Sequence, residues 1–570
     1  MSNDGTVADP FPPGRGAVSP DGGDVPASPP IPRRLLTDLI DGAVRDHGDR
    51  TAIDFLGRRW TYAEIGALVD RAAAGLQAMG VGPGVRFGLC LPNTPYFVIL
   101  YFAALRCGAT IVNYNPLYVE HELQHQIRDS GTTFMAVIDI ASIHAKVASV
   151  AAESGLSKII VCPLADILPP LTSIAYRLFK RGDIAKWPRD DRHVGFSTVV
   201  GDGTPPFRPT PLSPDDVAVL QYTGGTTGVP KGAMLTHANL TANSWQMILH
   251  VGRHATARQD RIMGVLPMFH VFALTTVLNY SVDTAAEMIL LPRFELKQFL
   301  KTSRRTRPTK LLAVPTMLTA INKAAGEQPI HFEDLDYCVS GGAPLPFDVR
   351  TEFERLTGAR VVEGYGLSET SPILTCNPVK GEVKDNSAGP AFPGTVLEIR
   401  SLDDPHVVLP QGERGEVCAR GPQVMKGYWN RPDETEKVFV DGALRTGDVG
   451  YIDEDGYLFL VDRIKDVIIA GGYNIYPRVI EEALYEHPAV LEAVVIGVPD
   501  EYRGQAPKAF VVMRPGLQAS IDDLVDFLRT RISKIEMPRE VEIRQSLPKT
   551  LIGKLSKKEL VAEEARKAAG

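Results

Sequence analysis

A segment near the middle of the 570-residue chain, YTGGTTGVPKG at 222–232, combines residue types that suit a polyphosphate. Glycine lets backbone amides approach a phosphate closely, threonine adds hydroxyl donors, and lysine adds a positive charge. The Walker A pattern, G-x-x-x-x-G-K-[ST], does not fit, because Pro230 precedes the lysine and Gly232 follows it. A flexible surface turn is the alternative interpretation. The candidate phosphate-binding residues are Thr223, Gly224, Gly225, Thr226, Thr227, Gly228 and Lys231.

Six further segments carry polar residues that could serve the same chemistry. Glu369 is a carboxylate suited to Mg²⁺, and Asp448 could accept hydrogen bonds from both hydroxyls of a ribose. Tyr365 offers a flat ring for stacking on adenine. Alone, each segment could be an ordinary turn or helix cap. The segments are LPMFHVFA (266–273), SGGAPL (340–345), GYGLSET (364–370), RTGDVG (445–450), VDRIKDVIIAGGYNIYP (461–477) and LPKTLIGKL (547–555).

Taken together and in this order, the seven segments resemble the motif set of the adenylate-forming superfamily, over roughly residues 35–560. This superfamily contains acyl-CoA synthetases, luciferases and the adenylation domains of peptide synthetases. Through DRIKDVIIAGGYNIYP and PMFHVFALT, the chain is most similar to the bacterial medium- and long-chain fatty acyl-CoA synthetases, which are AMP-forming acyl-CoA ligases. The resemblance implies an α/β fold like that of acetyl-CoA synthetase.

The resemblance implies that four side chains take part in the reaction. Lys554, in the P-x-x-x-x-G-K spacing, corresponds to a lysine that bridges carboxylate and phosphate oxygens during adenylation only. Glu369 corresponds to a magnesium ligand, and Lys231 belongs to the phosphate loop. His270 corresponds to a residue near the substrate carboxylate, but we do not assign it as a general base, because a carboxylate is already ionised at neutral pH.

The remaining motif residues correspond to binding and hinge positions. Lys465 aligns with the hinge residue, and Gly471 and Gly472 would border the tunnel for the pantetheine arm of coenzyme A. Ser368 replaces a threonine that is commoner in the family and keeps the hydroxyl. The residues expected to contact ATP or AMP, besides those of the glycine–threonine segment, are Gly342, Ala343, Gly364, Tyr365, Gly366, Ser368, Asp448 and Arg463.

The implied reaction has two steps and uses ATP, Mg²⁺ and coenzyme A. A fatty acid attacks the α-phosphate of ATP to give an acyl-adenylate and diphosphate, and the thiol of coenzyme A then displaces AMP. An aromatic-acid CoA ligase and a fatty acyl-AMP ligase that loads a carrier protein are the nearest alternatives. A luciferase-like oxygenase shares the adenylation step. A non-catalytic acyl-adenylate or lipid-binding protein is the alternative from another class.

Composition excludes several classes of protein. A net charge of −7 argues against a nucleic-acid-binding protein. The six cysteines lie far apart in the sequence, which indicates buried thiols in a reducing cytoplasm rather than disulfides or a zinc site. The N-terminus lacks the apolar core of a signal peptide, and the apolar run YFVILYFAAL at 96–105 is too short to span a bilayer. We expect this run to form a buried helix.

The sequence predicts three structured parts after an N-terminal tail. Residues 1–32 are rich in Pro, Gly and Asp, and we expect them to be disordered. Alternating helical and β-branched patterns over 33–461 predict a large domain of mainly parallel sheets flanked by helices, with a distorted β-barrel subdomain near residues 389–421. A hinge at 462–466 and a small, mobile α+β domain over 467–570 follow.

The segment 168–187 predicts a basic amphipathic helix. Leu171, Ile174, Ala175, Leu178 and Phe179 form an apolar stripe with basic residues beside it. Such a helix could lie on the inner face of a membrane, or pack on its own protein, and both interpretations stay open. A homodimer likewise stays open.

Overall fold

The computed structural model describes residues 30–203, 205–223, 230–252, 258–470, 473–500, 503–549 and 555–569. Residues 1–29, most of the predicted tail, therefore lie outside the described residues. The helices are α1 (Leu36–His47), α2 (Tyr62–Ala78), α3 (Pro95–Arg106), α4 (Glu120–Ser130), α5 (Ala141–Ser154), α6 (Pro170–Phe179), α7 (Phe196–Val199), α8 (His237–Val251), α9 (Val271–Ala273), α10 (Tyr280–Asp283), α11 (Leu296–Thr306), α12 (Pro315–Ala325), α13 (Phe347–Thr357), α14 (Pro432–Val438), α15 (Pro477–Tyr485), α16 (Ile521–Arg529) and α17 (Lys557–Ala569).

A π-helical segment (Leu274–Asn279) joins α9 to α10. The strands are β1 (Thr51–Phe55), β2 (Arg58–Thr61), β3 (Arg86–Cys90), β4 (Thr110–Asn113), β5 (Thr132–Ile138), β6 (Lys158–Cys162), β7 (His193–Gly195), β8 (Val217–Thr223), β9 (Lys231–Thr236), β10 (Arg261–Gly264), β11 (Glu287–Leu290), β12 (Lys310–Ala313), β13 (Tyr337–Gly341), β14 (Arg360–Gly366), β15 (Ile373–Cys376), β16 (Gly389–Pro390), β17 (Val396–Arg400), β18 (Gly415–Arg420), β19 (Phe439–Val440), β20 (Ala443–Ile452), β21 (Tyr457–Arg463), β22 (Ile468–Ala470), β23 (Tyr473–Ile475), β24 (Val490–Asp500), β25 (Gly504–Met513) and β26 (Glu540–Arg544).

Two large sheets carry most of the N-terminal part. One has the strand order β15-β14-β13-β12-β10-β11-β1-β2, and the other has the order β7-β6-β5-β3-β4-β8-β9. The inner strands of both sheets run parallel, and antiparallel strands β2, β15 and β9 stand at edges. Parallel strands place their carboxyl ends at one edge of a sheet, where ligands of α/β folds are bound. The predicted parallel-rich α/β architecture is therefore confirmed.

Apolar patterning explains how the helices pack between these sheets. Helix α3 buries eleven of its twelve residues, as the run YFVILYFAAL predicts. Thr61 caps the start of helix α2: its hydroxyl accepts a hydrogen bond from the amide of Glu64, while the Glu64 carboxylate accepts one from the amide of Thr61. Within the described residues, no helix is both long enough and apolar enough to cross a membrane. Each of the six cysteines is a buried free thiol, as expected.

Two smaller sheets follow. Strands β16-β21-β20-β18-β17 form an antiparallel sheet, with β19 beside β20, in the region of the predicted β subdomain. The C-terminal part contains the sheet β23-β22-β25-β24 with β26 on β25, and helices α15 and α16 pack on it. Helix α16 begins at Ser520, whose hydroxyl accepts the amide of Asp523, as the sequence predicts. The predicted small α+β unit is thus present.

Candidate active site

The glycine–threonine segment begins in β8 and ends in β9. Thr223 is the last residue of β8, Lys231 is the first of β9, and the two residues are direct partners in the antiparallel ladder. The segment thus includes the carboxyl end of β8. Five of the predicted phosphate-binding residues lie outside the described residues: Gly224, Gly225, Thr226, Thr227 and Gly228.

Lys231 and Glu369 lie on either side of one tyrosine, Tyr428. The Lys231 ammonium is 5.2 Å from the centre of the Tyr428 ring, and the Tyr428 hydroxyl donates a hydrogen bond of 2.8 Å to Glu369 Oε1. Lys231 also forms an ion pair with Glu434. The structure thus brings Lys231 and Glu369 together, although they lie far apart in the sequence. Their partners Tyr428 and Glu434 belong to none of the motifs.

Backbone pairing positions Tyr428. The amide of Met234 in β9 donates to the carbonyl of Gly427, and the amide of Trp429 donates to the carbonyl of Gly232, each at 2.8 Å. The segment 426–429 thus pairs with β9 through one isolated antiparallel bridge, between Ala233 and Tyr428. Directly before it, the amide of Met425 donates to the carbonyl of Glu369 at 2.8 Å, which joins the same segment to the GYGLSET motif.

Charge fixes the protonation of this cluster. Hydrogen bonds from Lys231 and Lys437 lower the pKa of Glu434 to about 2, so this carboxylate is ionised at neutral pH. Burial, with the nearby Glu369 carboxylate, raises the pKa of Tyr428. Tyr428 therefore stays protonated and acts as a donor to Glu369.

A second cluster joins Tyr365 to Asp448 and Arg463. The Tyr365 hydroxyl donates to Asp448 Oδ2 at 2.6 Å, and Asp448 Oδ1 lies 2.8 Å from Arg463 Nε. Asp448 in β20 and Arg463 in β21 are direct partners in the antiparallel ladder. Burial and the Asp448 charge raise the pKa of Tyr365, which keeps its hydroxyl a donor. The two predicted ribose contacts therefore lie side by side.

The GYGLSET motif connects the two clusters. Tyr365 lies near the end of β14, and Ser368 and Glu369 lie in the 3₁₀ turn that follows. Between them, Gly366 has no room for a side chain, because a Cβ there would come within 1.8 Å of the Pro372 carbonyl oxygen. A cavity of about 230 Å³ lies between the clusters, lined by Leu367, Glu369, Glu416, Tyr428, Lys437, Val438, Leu444, Arg445, Thr446 and Gly447.

The SGGAPL motif follows the carboxyl end of β13, and His270 follows that of β10, with β12 between the two strands. Gly341 ends β13 and pairs with Gly364 in β14, and Gly342 adopts a positive φ of 83° before Ala343. The Phe272 ring packs on Gly341, where a Cβ would come within 3.1 Å of it. His270 accepts the Phe272 amide on Nδ1 at 3.4 Å and is half-buried. These two motifs therefore meet at one sheet edge.

An apolar cavity lies behind this edge, between α8 and the large sheet. Its wall follows β13 from Val339 to Tyr337 and β12 from Leu312 to Lys310. The nearby apolar residues Phe272, Leu274, Val314 and Met317 are not part of its lining, which is formed by other residues. They are Met247, His250, Val251, Ile262, Thr276, Tyr280, Lys310, Leu312, Tyr337, Val339, Ile373, Cys376, Val379 and Phe392.

Lys310 lies at the far end of the apolar cavity. Its ammonium lies 2.6 Å from Asp260 Oδ2 and 3.1 Å from the Tyr280 hydroxyl. Burial disfavours the charged form of Lys310. The interactions with Tyr280 and Asp260 outweigh this effect and raise the pKa of Lys310 above its ordinary value. This paired charge closes the cavity on the side away from the SGGAPL motif.

The predicted C-terminal residues are placed only in part. Lys465 lies in the exposed 3₁₀ turn Ile464–Asp466, directly after Arg463. Gly471, Gly472 and Lys554 lie outside the described residues. In the parts of the chain that the structure describes, no group of three or more His, Cys, Asp or Glu side chains could hold a metal ion.

Two family models match most of the chain. The model of the AMP-binding enzyme family matches residues 40–429, and that of the AMP-binding enzyme C-terminal domain matches residues 479–554. The chain belongs to the AMP-binding enzyme family. The predicted membership of the adenylate-forming enzymes is thereby confirmed.

Relatives within this family agree in length and fold. The chain is 40% identical to the long-chain-fatty-acid–CoA ligase of Bacillus subtilis (strain 168), over 95% of this chain and 96% of that protein. It is 35% identical to the feruloyl-CoA synthase of Amycolatopsis sp, over 90% and 95% of the two chains. Among solved structures, ATP-bound MatB from Rhodopseudomonas palustris is similar with a TM-score of 0.79 and 30% identity, covering 93% of this chain and 99% of that one.

Proposed function

We propose that this protein is an AMP-forming fatty acid–CoA ligase, which converts a fatty acid, ATP and coenzyme A to acyl-CoA, AMP and diphosphate. One observation carries the proposal. The motif 364–370 contacts the Asp448–Arg463 pair through Tyr365 and the Lys231–Tyr428 pair through Glu369. A nucleotide laid along this motif would have its ribose at the first pair and its phosphates at the second.

The first half-reaction needs electrostatic stabilisation rather than proton transfer. A carboxylate oxygen of the fatty acid attacks the α-phosphorus, the bond from that phosphorus to the bridging oxygen breaks, and diphosphate leaves. Negative charge grows on the phosphate oxygens, where a fixed cation lowers the barrier. Lys231 can supply such a charge by exchanging Glu434 for phosphate, and Lys554 is the proposed cation on the carboxylate side.

Glu369 is the proposed residue for a magnesium ion. Mg²⁺ is usually held by one or two carboxylates together with substrate phosphates, so a single carboxylate at the phosphate end of the motif fits it. Once bound, the ion would neutralise charge on the phosphates. The hydrogen bond from Tyr428 orients the Glu369 carboxylate toward the cavity between the clusters.

The apolar cavity behind the SGGAPL motif is the proposed pocket for the acyl chain. The cavity measures about 30 Å³ in this structure, so an acyl chain would enter it only as the lining side chains move apart. Apart from the Lys310 end, the wall offers alkyl and aromatic surface. This apolar wall supports a fatty acid as the proposed substrate.

The second half-reaction is proposed to follow rotation of the C-terminal domain about residues 462–466. The thiol sulfur attacks the acyl carbon, the acyl–phosphate oxygen bond breaks, AMP leaves, and the thiol proton is released to solvent. Asp462 Oδ2 accepts the amide of Arg478 at 2.8 Å, so the hinge strand β21 holds the first turn of α15. Lys465 follows in an exposed turn, where backbone rotation meets little obstruction.

A product assay tests the proposal. The purified protein is incubated with ATP, Mg²⁺ and short, medium, long and aromatic acids, with and without coenzyme A, and the products are identified by mass spectrometry. We expect fatty acyl-CoA only when coenzyme A is present. Accumulation of acyl-AMP in the presence of coenzyme A would indicate a carrier-protein adenylase, and exclusive use of aromatic acids would contradict the proposed acyl pocket.

A further inference from the structure

Helix α6 points its apolar stripe away from the protein. Four large apolar side chains are exposed: Leu171 by 83%, Ile174 by 57%, Leu178 by 54% and Phe179 by 83%. None of the residues of α6 is buried. The stripe that the sequence predicts is therefore not packed on the body of the protein, although the helix itself forms as expected.

The helix is attached by its opposite side. Ser173 and Tyr176 are its half-buried residues, and Tyr176 packs against the main core. At 100° per residue, these two positions lie roughly opposite Leu171 and Leu178. An amphipathic helix on the surface of a globular domain normally turns its apolar side inward. Here the orientation is reversed.

Both ends of the helix are held by ordered structure. Before it, Ile167 and Leu168 are buried in the main core. After it, the amide of Ala141 donates to the Asp183 carbonyl at 2.8 Å, and the amide of Ala185 donates to the Asp139 carbonyl at 2.7 Å. The exposed stripe is thus a fixed part of the fold, and exposed apolar surface of this kind marks an interaction site.

Charge around the stripe identifies the partner. From Asp166 to Trp187 the chain carries four basic side chains against two acidic ones, although its net charge is −7; Asp166 pairs with Arg177, and Asp183 pairs with Lys180 at 3.3 Å. The nearby Arg58, whose guanidinium donates to the Asp166 carbonyl, adds a further cation at the base of α6. An exposed apolar stripe flanked by cations matches an anionic lipid surface, which offers a hydrocarbon boundary beneath negative headgroups. The basic residues of the segment are Arg177, Lys180, Arg181 and Lys186.

The position of α6 agrees with this partner. Pro169, at the start of the helix, contacts the β1–β2 turn, where a Cβ on Gly57 would lie 3.9 Å from Pro169 Cγ. Strands β1 and β13 run in the same direction, four strand spacings or about 19 Å apart. The base of α6 and Gly341 therefore lie along the same border of the large sheet, the one formed by the carboxyl ends of its parallel strands.

We infer that α6 is a membrane-docking element, which inserts Leu171, Ile174, Leu178 and Phe179 into the boundary of an anionic bilayer while its basic residues bind the headgroups. Docking would bring the sheet edge with the SGGAPL motif to the surface in which long-chain acids dissolve. The inference goes beyond the proposed function, because it concerns a surface that takes no part in the reaction.

Vesicle co-sedimentation, without ATP or coenzyme A, tests the inference. We expect the protein to bind vesicles of equal parts phosphatidylcholine and phosphatidylglycerol, and to bind phosphatidylcholine alone weakly. The L171D/F179D variant should lose about tenfold or more in affinity for the mixed vesicles. The matched variant L402D/V407D changes two exposed apolar residues elsewhere and should bind as wild type.

Further variants test the contribution of the basic residues to vesicle binding, and an activity assay tests whether the α6 variants fold. K180E/R181E should weaken binding to the mixed vesicles, whereas R529E/K534E, which changes exposed basic residues of the C-terminal part, should not. Wild-type ligase activity of the α6 variants on a short, water-soluble acid would show that they fold. Equal binding of wild type and L171D/F179D would overturn the inference. The inference would also be overturned if wild type did not bind vesicles and sedimentation velocity showed that the L171D/F179D substitutions dissociate a dimer. The stripe would then face a second copy of the chain.

Discussion

Asp448 and Arg463 form an ion pair across β20 and β21, with 2.8 Å between Asp448 Oδ1 and Arg463 Nε, and the Tyr365 hydroxyl occupies the other carboxylate oxygen at 2.6 Å. Both oxygens of Asp448 therefore have donors, and both donors come from motifs expected to contact the nucleotide. A ribose with two hydroxyls can replace or share these contacts, because an ionised carboxylate accepts several hydrogen bonds.

Replacing Asp448 by asparagine should weaken binding of ATP. The change removes a charged acceptor and leaves Arg463 without its partner, which costs about 1.5–3 kcal/mol, or roughly 10- to 100-fold in kcat/KM for ATP. Steady-state kinetics at varied ATP concentration measure this change in kcat/KM. D403N, which changes an exposed aspartate of the same subdomain, is the control and should leave kcat/KM for ATP unchanged. A D448N enzyme with wild-type kcat/KM would contradict the assignment.

Two lysines bind Glu434, but only Lys231 also contacts the Tyr428 ring. If Lys231 stabilises phosphate charge, K231M should lower kcat/KM for ATP by about 100-fold or more, in the range of other lost transition-state contacts. K437M removes the second partner of Glu434. Lys437 lines the cavity beside Glu369, but its side chain is 69% exposed, so its loss should cost about tenfold less than the loss of Lys231. Comparable losses in the two variants would mean that the salt bridges of Glu434, and not phosphate binding, explain the effect of K231M.

Lys554 should act in one half-reaction only. K554A is expected to abolish adenylation, measured by exchange of labelled diphosphate into ATP, because the cation on the carboxylate side is lost. Thioester formation from supplied acyl-AMP and coenzyme A should continue near the wild-type rate. K558A, which removes an exposed lysine from the same tail, is the control for both assays. Survival of adenylation in K554A would refute the proposed role.

The apolar cavity predicts chain-length preference. V339F adds volume in the wall along β13 and should shift the preferred acid to a shorter chain, whereas L312A removes volume and should shift the preference to a longer one. The measurement is kcat/KM across a series of saturated acids. Shifts in opposite directions locate the acyl chain in this cavity. Unchanged profiles in both variants would place the chain elsewhere.

Glu363 should make stability depend on pH. Burial raises its pKa from 4.5 to about 7, while the amide of Leu345 donates to Glu363 Oε2 at 3.1 Å. A raised pKa means that the folded state binds this proton more tightly than the unfolded state does. The contribution of Glu363 to the free energy of unfolding is therefore full below pH 4.5 and is lost as the pH rises through 7. E363Q carries no charge and should be more stable than wild type at about pH 8, by on the order of 3 kcal/mol at most.

Thermal unfolding of wild type and E363Q across this pH range measures the difference, which should shrink toward acid pH. Glu354, whose Oε1 accepts the amide of Val361 at 2.8 Å, provides a control carboxylate. E354Q should keep the wild-type dependence on pH between 4.5 and 7. A wild-type minus E363Q difference that stays constant with pH would contradict the raised pKa.

The sequence predicted the parts of the fold that local patterning determines. The continuous apolar run at 96–105 became the buried helix α3, and alternating patterns became two parallel-rich sheets. Tyr428 and Glu434 were missed because their roles depend on pairing over long separations; Lys231 and Glu434 are 203 positions apart in the sequence. The apolar stripe of α6 was predicted, but its outward orientation was not, because periodicity specifies that a helix has two faces and not which face meets the protein.

The central claim is that the fatty acid attacks the α-phosphate of ATP. It is tested most directly with a fatty acid labelled with ¹⁸O in both carboxylate oxygens, incubated with the protein, ATP and coenzyme A, followed by mass spectrometry of the nucleotide. We predict that AMP carries one ¹⁸O atom, since the attacking oxygen stays on the phosphate when the thiol displaces it. Formation of ADP with the label in inorganic phosphate, or unlabelled AMP, would contradict the account.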